Sequence, residues 1–310
     1  MHVAVSIVGF RNPDDILRCL SALEASRHTD FEVVICENGG RAAHEALTAV
    51  LPTSLPGGQP VRAVLASSNL GYAGGVNVCL SVAPGADAWW VLNPDTQPEP
   101  GAMAALVQRL AAGDCEIAGG TVLFPDGRVE SHGGRWRAWL ARPISVGYGT
   151  RLEDAIDTAA IEKSLSYFSG ASMMVSRRFL ETTGPMQEEY FLYCEEIEWC
   201  LRGAALGMRL GFTPAAKVVH YQGTTTGSVK NIRDRPRMPV FLDERNKILL
   251  TRDCFPSRLP VAAVAAGVFL VLRFARRGAW RQLCYGLEGW AAGVRDRRGV
   301  PGWLAAASGS

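Results

Sequence analysis

Trp89-Trp90-Val91-Leu92-Asn93-Pro94-Asp95-Thr96 is the stretch whose reading decides the fold. Four apolar residues, two of them Trp, make a run of the length expected for a buried strand. The run stops at Asn93-Pro94, because proline has no N–H for a sheet ladder and restricts the residue before it. An acidic side chain, Asp95, therefore stands at the carboxyl end of a strand. In open α/β sheets that edge is where ligands bind, and a carboxylate there can hold a divalent cation against phosphate oxygens. The same four residues also read as a turn leading into a helix cap, so the flanking sequence has to decide.

Toward the amino terminus, Val61–Ala66 reads as a strand and runs into Asn69-Leu70-Gly71-Tyr72-Ala73-Gly74-Gly75-Val76-Asn77. Gly71, Gly74 and Gly75 let backbone approach a ligand at the start of a helix, whose free N–H groups suit an anion. The spacing is not G-x-G-x-x-G, so a dinucleotide fingerprint is not supported. Phe31–Cys36 is a further strand, ending in Glu37-Asn38-Gly39-Gly40. Residues 2–9 form the first strand, and Asn12-Pro13-Asp14-Asp15 starts a helix with Ile16, Leu17, Leu20 and Leu23 on its apolar face. Another helix is predicted over about 42–50.

Toward the carboxyl terminus a helix is expected at about 99–112. Residues 116–124 alternate toward the turn Pro125-Asp126-Gly127, which predicts a hairpin. Residues 131–165 are rich in Gly and Arg without periodicity and read as a long loop, with His132 at its surface. A strand over 167–175 has a core of small residues, Ser169-Gly170-Ala171-Ser172, and a short helix follows at 177–182. Next comes Tyr190-Phe191-Leu192-Tyr193-Cys194-Glu195-Glu196-Ile197-Glu198. Ile197, Cys200, Leu201 and Ala204 mark the buried face of a helix over 195–206 that stops at Gly207. Glu198 is accounted for by an i,i+4 pair with Arg202. Glu195 and Glu196 are not, and a carboxylate at a helix start beside apolar rings can serve as a general base. Lys217–His220 is the last strand, which makes His220 a candidate for a metal or phosphate contact.

At 310 residues, 48% hydrophobic and 20% charged, the chain is globular and long enough for one large α/β domain with an appendage. No basic segment precedes the first strand, so a cytoplasmic start without a signal peptide is expected. Eight scattered cysteines without a C-x-x-C pair read as reduced core residues, against a zinc site or a disulfide frame. The net charge of +2 hides an asymmetry: from Arg245 onward eleven Lys/Arg face three Asp/Glu, which leaves the preceding residues at −6. Leu259–Leu272 is a fourteen-residue uncharged apolar run, shorter than the ~18–20 needed to span a bilayer. Arg273, Arg276, Arg277 and Arg281 follow, interleaved with Phe274 and Trp280. An in-plane helix on a membrane surface or partner is expected, with a helical subdomain packed on the body as the alternative.

Together these stretches resemble the family 2 glycosyltransferases of GT-A fold, particularly their bacterial rhamnosyltransferase-like branch, over roughly residues 3–255. The resemblance implies a Rossmann-like mixed sheet flanked by helices (1–255) and a basic, apolar helical extension (256–310). It implies nucleotide-sugar contacts at Glu37 and Asn38, where the family has an Asp-Asn pair. Further contacts are implied at Asn69, Gly71, Tyr72, Gly74, Gly75 and Asn77 in the glycine loop, and at Asn93. Asn93-Pro94-Asp95 resembles the family's metal motif, so Asp95 and His220 would hold Mn²⁺ or Mg²⁺. Phe191 through Arg202 resembles the element whose acid is the catalytic base, which carries that role to Glu196, with Glu195 as the alternative. Arg245-Asn246-Lys247 resembles the Arg-Asn-basic element that follows. The implied reaction is inverting transfer from a nucleoside-diphosphate sugar, dTDP- or UDP-linked, to a hydroxyl of a glycan or lipid-linked glycan. No nucleic-acid partner is expected, and the protein would be cytoplasmic or peripheral at the inner membrane face. A sugar-phosphate nucleotidyltransferase, or a non-catalytic nucleotide-sugar-binding or assembly protein, stands as the alternative.

Overall fold

All five residues of the strand Ala88–Leu92 (β4) are buried. The two indoles are accommodated because each N–H has a partner: Trp89 donates to the Ala83 carbonyl at 3.1 Å and Trp90 to Ser172 Oγ at 3.0 Å. The computed structural model describes residues 1–221 and 231–304. Three parallel strands precede β4: β1 (Val3–Gly9), β2 (Phe31–Glu37) and β3 (Val61–Leu65). They are connected through α1 (Pro13–Glu24), α2 (Arg41–Val50) and α3 (Gly71–Val82), giving the order β3-β2-β1-β4.

The second half of the sheet comes from β5 (Thr96–Pro98), β6 (Ile117–Leu123), β7 (Val129–Ser131), β10 (Ser172–Ser176) and β11 (Leu210–His220). The sheet continues β4-β10-β6-β11-β5, with β10 antiparallel to both neighbours and β7 paired to β6 as the Pro-Asp-Gly turn predicts. A separate hairpin of β8 (Gly134–Arg137) and β9 (Arg142–Ser145) follows β7. The remaining helices are α4 (Ala102–Ala111), α5 (Thr158–Ser164), α6 (Arg177–Thr183), α7 (Glu195–Ala205), α8 (Arg237–Cys254), α9 (Leu259–Ala275) and α10 (Trp280–Val294). One core packs α1 and α4 on the sheet through Ile16, Leu20, Leu23 and Leu106; the other packs α3 and α7 through Val76, Leu80, Ile197 and Trp199.

Several expectations are corrected. Residues 131–165 are not a loop but hold β8, β9 and α5. Four-residue strands in which Trp136 is buried between exposed Arg135 and Arg137 are too short to show a period. Glu162 of α5 accepts the Phe212 N–H at 2.6 Å and pairs with Arg109 at 3.0 Å. His132 is buried, 3.0 Å from Thr121 Oγ1 and edge-on to Phe212, and burial lowers its pKa. On α7, Ala204 is exposed while Glu195, Glu198 and Trp199 are buried. Cys284 is exposed, whereas six of the other cysteines are buried and Cys254 is half-buried. The apolar stretch before Arg276 is longer than the uncharged run suggests: among the described residues Pro256–Ala275 passes for a membrane-crossing helix by length and composition, with 22% buried. The boundary drawn at 255 falls between α8 and α9.

Candidate active site

β2, β4 and β11 deliver polar residues to one edge of the sheet. β2 ends at Glu37, which is 1% exposed. Its Oε1 accepts the N–H groups of Arg11 at 3.0 Å and Gly39 at 2.7 Å, which ties the ends of β1 and β2 together. Asn38 donates to the Gly71 carbonyl at 2.7 Å and accepts from Leu70 N–H at 3.3 Å. Asn69 accepts from Gly71 N–H at 3.1 Å. Asn77 is held on both sides by Met186, donating to its carbonyl and accepting from its N–H at 2.9 Å each, and also donates to Glu188. These side chains therefore fix the glycine loop, and Asn77 in particular braces it against Met186 and Glu188.

The glycines serve close packing. Gly71 has φ +71°, and a Cβ there would lie 2.1 Å from the Phe191 carbonyl oxygen, which already accepts Tyr72 N–H at 2.7 Å. The first amides of the loop are thus engaged within the protein. Gly74 lies against Leu70 and Gly75 against Val8. The small residues at 169–172 serve the same end, since the Tyr72 hydroxyl donates to the Gly170 carbonyl at 2.7 Å.

The segment that meets this loop is strained. Phe191, Tyr193 and Cys194 have φ values of +66°, +75° and +71°, a left-handed region that costs non-glycine residues energy and clusters at functional sites. Arg245 and Asn246 of α8 hold it in place. Asn246 shares its amide N–H groups among the carbonyls of Tyr190, Leu192 and Tyr193 at 2.8–2.9 Å. Arg245 donates to Tyr190 O at 2.9 Å and to Asn246 Oδ1 at 2.8 Å, which orients the amide. Burial, and then Arg298, lower the Arg245 pKa to about 10. The Arg-Asn dipeptide was visible in the sequence; its action as a clamp required the fold.

The clamp presents α7 with its first two residues in different surroundings. Glu195 is 2% exposed and its Oε2 has no hydrogen-bond partner. Burial, reinforced by the charge of Glu196, holds its pKa well above the usual carboxylate range. Glu196 is half-buried, and burial raises its pKa to about 7, which suits a general base at neutral pH. Tyr72 lies within the field of Glu196, Glu195 and Asp95, which, after burial, raise its phenol pKa. The glycine loop, the Asp95 turn and the α7 start therefore adjoin one another around one ring.

Asp95 is buried and its Oδ1 lies 3.3 Å from His220 Nε2. The other ring nitrogen of His220, Nδ1, lies 3.0 Å from Glu130 of β7. Burial lowers the His220 pKa, but hydrogen bonds to Asp95 and Glu130 outweigh it and raise the value to about 9. Glu130 was missed by sequence reasoning, although its place between buried Val129 and Ser131 on the return strand marks a side chain directed away from the core. Among the described residues no group of three or more His, Cys, Asp or Glu side chains could by itself hold a metal ion. Asp95 and His220 still fit as a pair: adjacent ligands of an octahedral ion with ~2.1 Å bonds stand about 3 Å apart, and an oxygen with an imidazole suits Mn²⁺. The Asn93 side chain is half-buried and makes no hydrogen bond among the described residues.

Comparison with known proteins shows the family and the fold. The profile of Glycosyl transferase family 2 matches residues 5–184. An N-acetylglucosaminyl-diphospho-decaprenol L-rhamnosyltransferase of Mycobacterium tuberculosis is 26% identical over 236 residues, 68% of this chain and 73% of that protein. A dTDP-rhamnosyl transferase of Shigella flexneri is 33% identical over 93 residues, 29% of this chain and 31% of its own. Among solved structures, a mannosyltransferase of Pyrobaculum calidifontis in complex with GDP-Man and Mn²⁺ superposes with a TM-score of 0.55 at 15% identity, covering 96% of this chain and 88% of the other. At that identity the likeness shows the fold.

Proposed function

The chain belongs to glycosyl transferase family 2, and from that premise we propose that it moves a rhamnosyl or hexosyl group, with inversion, from a dTDP- or UDP-sugar to a hydroxyl of a lipid-linked glycan. The GT-A arrangement of its sheet and the rhamnosyltransferase relatives support the donor class. One observation carries the catalytic reading: two adjacent carboxylates, one enclosed, the other half-buried with a pKa of about 7, stand within reach of the glycine loop and Asp95.

Glu196 is the base that takes the proton from the acceptor hydroxyl. Glu195 is enclosed, and its burial favours Glu196 in that role. Asn93 faces the donor, while Glu37, Asn38, Asn69 and Asn77 hold the loops that receive it, so catalysis rests largely on preorganisation. Asp95 and His220 would hold Mn²⁺ or Mg²⁺, which when bound neutralises charge on a nucleoside-diphosphate leaving group.

The lipid-linked acceptor is supported by the diphospho-decaprenol in the mycobacterial relative's name. It is also supported by α9, which packs inward through Ala262, Ala266, Leu270 and Phe274 while Val261, Val264 and Val268 stay exposed. One face buried and one apolar face open suit a helix lying in the inner surface of the cytoplasmic membrane. Residues 1–255 would then be catalytic and the following helices membrane-directed.

The test is a melting-temperature panel of UDP, dTDP, GDP and CMP with and without Mn²⁺, on the native chain and on Asp95→Ala. A manganese-dependent rise with dTDP or UDP, absent in Asp95→Ala, is expected. No shift with any nucleotide would overturn the reading.

A further inference from the structure

Between α8, α9 and the β8–β9 hairpin lies a cavity of about 1030 Å³. Six basic side chains line it: Arg142, Arg235, Lys247, Arg273, Arg276 and Arg277. Only two acids, Asp243 and Glu244, face them, and both are engaged. Lys247 Nζ lies 2.6 Å from Asp243 and 3.2 Å from Glu244, and Arg273 lies 3.3 Å from Glu244. Arg142, Arg235, Arg276 and Arg277 make no ion pair among the described residues. Arg235 is crowded: burial first, then the charges of Arg273 and Arg277, pull its pKa below the usual guanidinium range. Among the described residues the six cations outnumber the two acids of the lining, a surplus that favours entry of an anion.

The walls also have a direction. Phe269 and Leu272 of α9 line the cavity, and Val264, Val268 and Val271 continue outward from them as exposed apolar surface. A smaller adjoining pocket of about 230 Å³ shares Arg235, Asp243, Glu244 and Arg273 with it and reaches Tyr193, two residues before Glu195. An apolar stripe, a cluster of arginines and the start of the catalytic helix therefore follow one another. This is the order of parts in a polyprenyl diphosphate that carries a sugar.

We propose that this cleft binds the diphosphate of the lipid-linked acceptor, with the hydrocarbon chain along the exposed face of α9 and the sugar toward Tyr193. The proposal rests on the acceptor class proposed above. Guanidinium forks match phosphate oxygens in pairs, and four of them suit a diphosphate better than a single carboxylate. None of the six basic residues belongs to the sheet edge proposed for the donor, so the two diphosphates would have separate sites.

The experiment is flotation of the full chain with phosphatidylcholine vesicles containing a few mole per cent of undecaprenyl diphosphate. Vesicles in which phosphatidylglycerol supplies the same charge are the comparison. The native chain should prefer the diphosphate vesicles, and Arg276→Gln/Arg277→Gln should lose roughly tenfold in that partition. Both residues are exposed, so the fold should survive; Arg142→Gln, on the hairpin wall, is an independent second variant expected to weaken the same preference. Equal binding to both vesicle types, or a preference unchanged in both variants, would overturn the proposal. The nucleotide panel on the same preparation separates the two readings. A nucleotide shift without diphosphate preference defeats the cleft alone, whereas diphosphate preference without a nucleotide shift supports the cleft while the donor assignment fails.

Discussion

The edge of the sheet and the cleft under α9 both gather charge, but they balance it in opposite ways. At the edge nearly every polar side chain is already bonded to protein: Glu37 to two amides, Asn38 and Asn77 to backbone, His220 to Asp95 and Glu130. In the cleft Arg142, Arg235, Arg276 and Arg277 make no ion pair among the described residues, and the two acids present, Asp243 and Glu244, are bound to Lys247 and Arg273. A preassembled edge orients a ligand without reorganising, which is what a chemical step needs. An uncompensated cleft attracts an anion and holds it by charge, which is what docking needs. Between the two stands the start of α7, where Glu195 is closed in and Glu196 half open.

The sharpest way to break that comparison is at the two glutamates. Glu196→Gln should lower turnover by ~10²–10⁴-fold, the usual worth of a positioned base, with donor affinity retained. Glu195→Gln alters a side chain that is 2% exposed and closed to the acceptor, and should lower turnover far less. Steady-state rates of sugar transfer decide the matter; equal losses in both variants would show that the base is not assigned by exposure. Turnover in the native enzyme should also fall as pH drops through about 7, where Glu196 takes up a proton, and Glu196→Gln should abolish that limb.

Next in size is the clamp. Asn246→Leu removes the amide shared by the Tyr190, Leu192 and Tyr193 carbonyls. Each of the three hydrogen bonds lost is worth roughly 1 kcal/mol, so a loss of about 3 kcal/mol in urea unfolding is expected. Gly71→Ala attacks the other side of the same contact, where a methyl would meet the Phe191 carbonyl at 2.1 Å with φ at +71°. Left-handed backbone and overpacking together put its cost at about 2–4 kcal/mol. If either variant unfolds like the native chain, the rigidity ascribed to the edge is wrong.

Much of the edge could be read from sequence because its markers are local. A run that ends in Asn93-Pro94-Asp95 announces a strand end, and a run with Gly71, Gly74 and Gly75 announces a tight loop, whatever the rest of the chain does. Glu195 and Glu196 could be singled out as a pair but not told apart, because the difference between them is burial, set by packing from distant elements. The site role of Glu130 and the clamp formed by Asn246 depend on packing in the same way: one arrives on a three-residue strand, the other from α8, more than fifty residues after the carbonyls it holds. The cleft was legible only as a basic, apolar tail. Its Arg142 wall comes from a hairpin whose strands are too short to carry a period.

The smallest expected effect bears on what the closed surroundings of the glutamates cost. In the unfolded chain Glu196 titrates near its ordinary value of 4.5, whereas in the fold burial raises it to about 7. Between these values the folded chain keeps a proton that the unfolded chain has released. Stability from this group is therefore present at low pH, declines as pH rises through that window and is level above about 7. Glu195, shifted upward by burial and by Glu196, acts in the same direction and extends the decline. Glutamine cannot ionise, so Glu196→Gln should match the native chain near pH 4.5 and exceed it at pH 8 by about 1–3 kcal/mol, a conversion of the shift at 1.36 kcal/mol per unit. Paired urea titrations at the two pH values provide the measurement. A variant that is less active and yet more stable only at the higher pH identifies Glu196 as a group held ionised against its surroundings for the sake of the reaction. Equal stability at both would mean that water reaches Glu196 freely, and the contrast with Glu195 would then have no electrostatic basis.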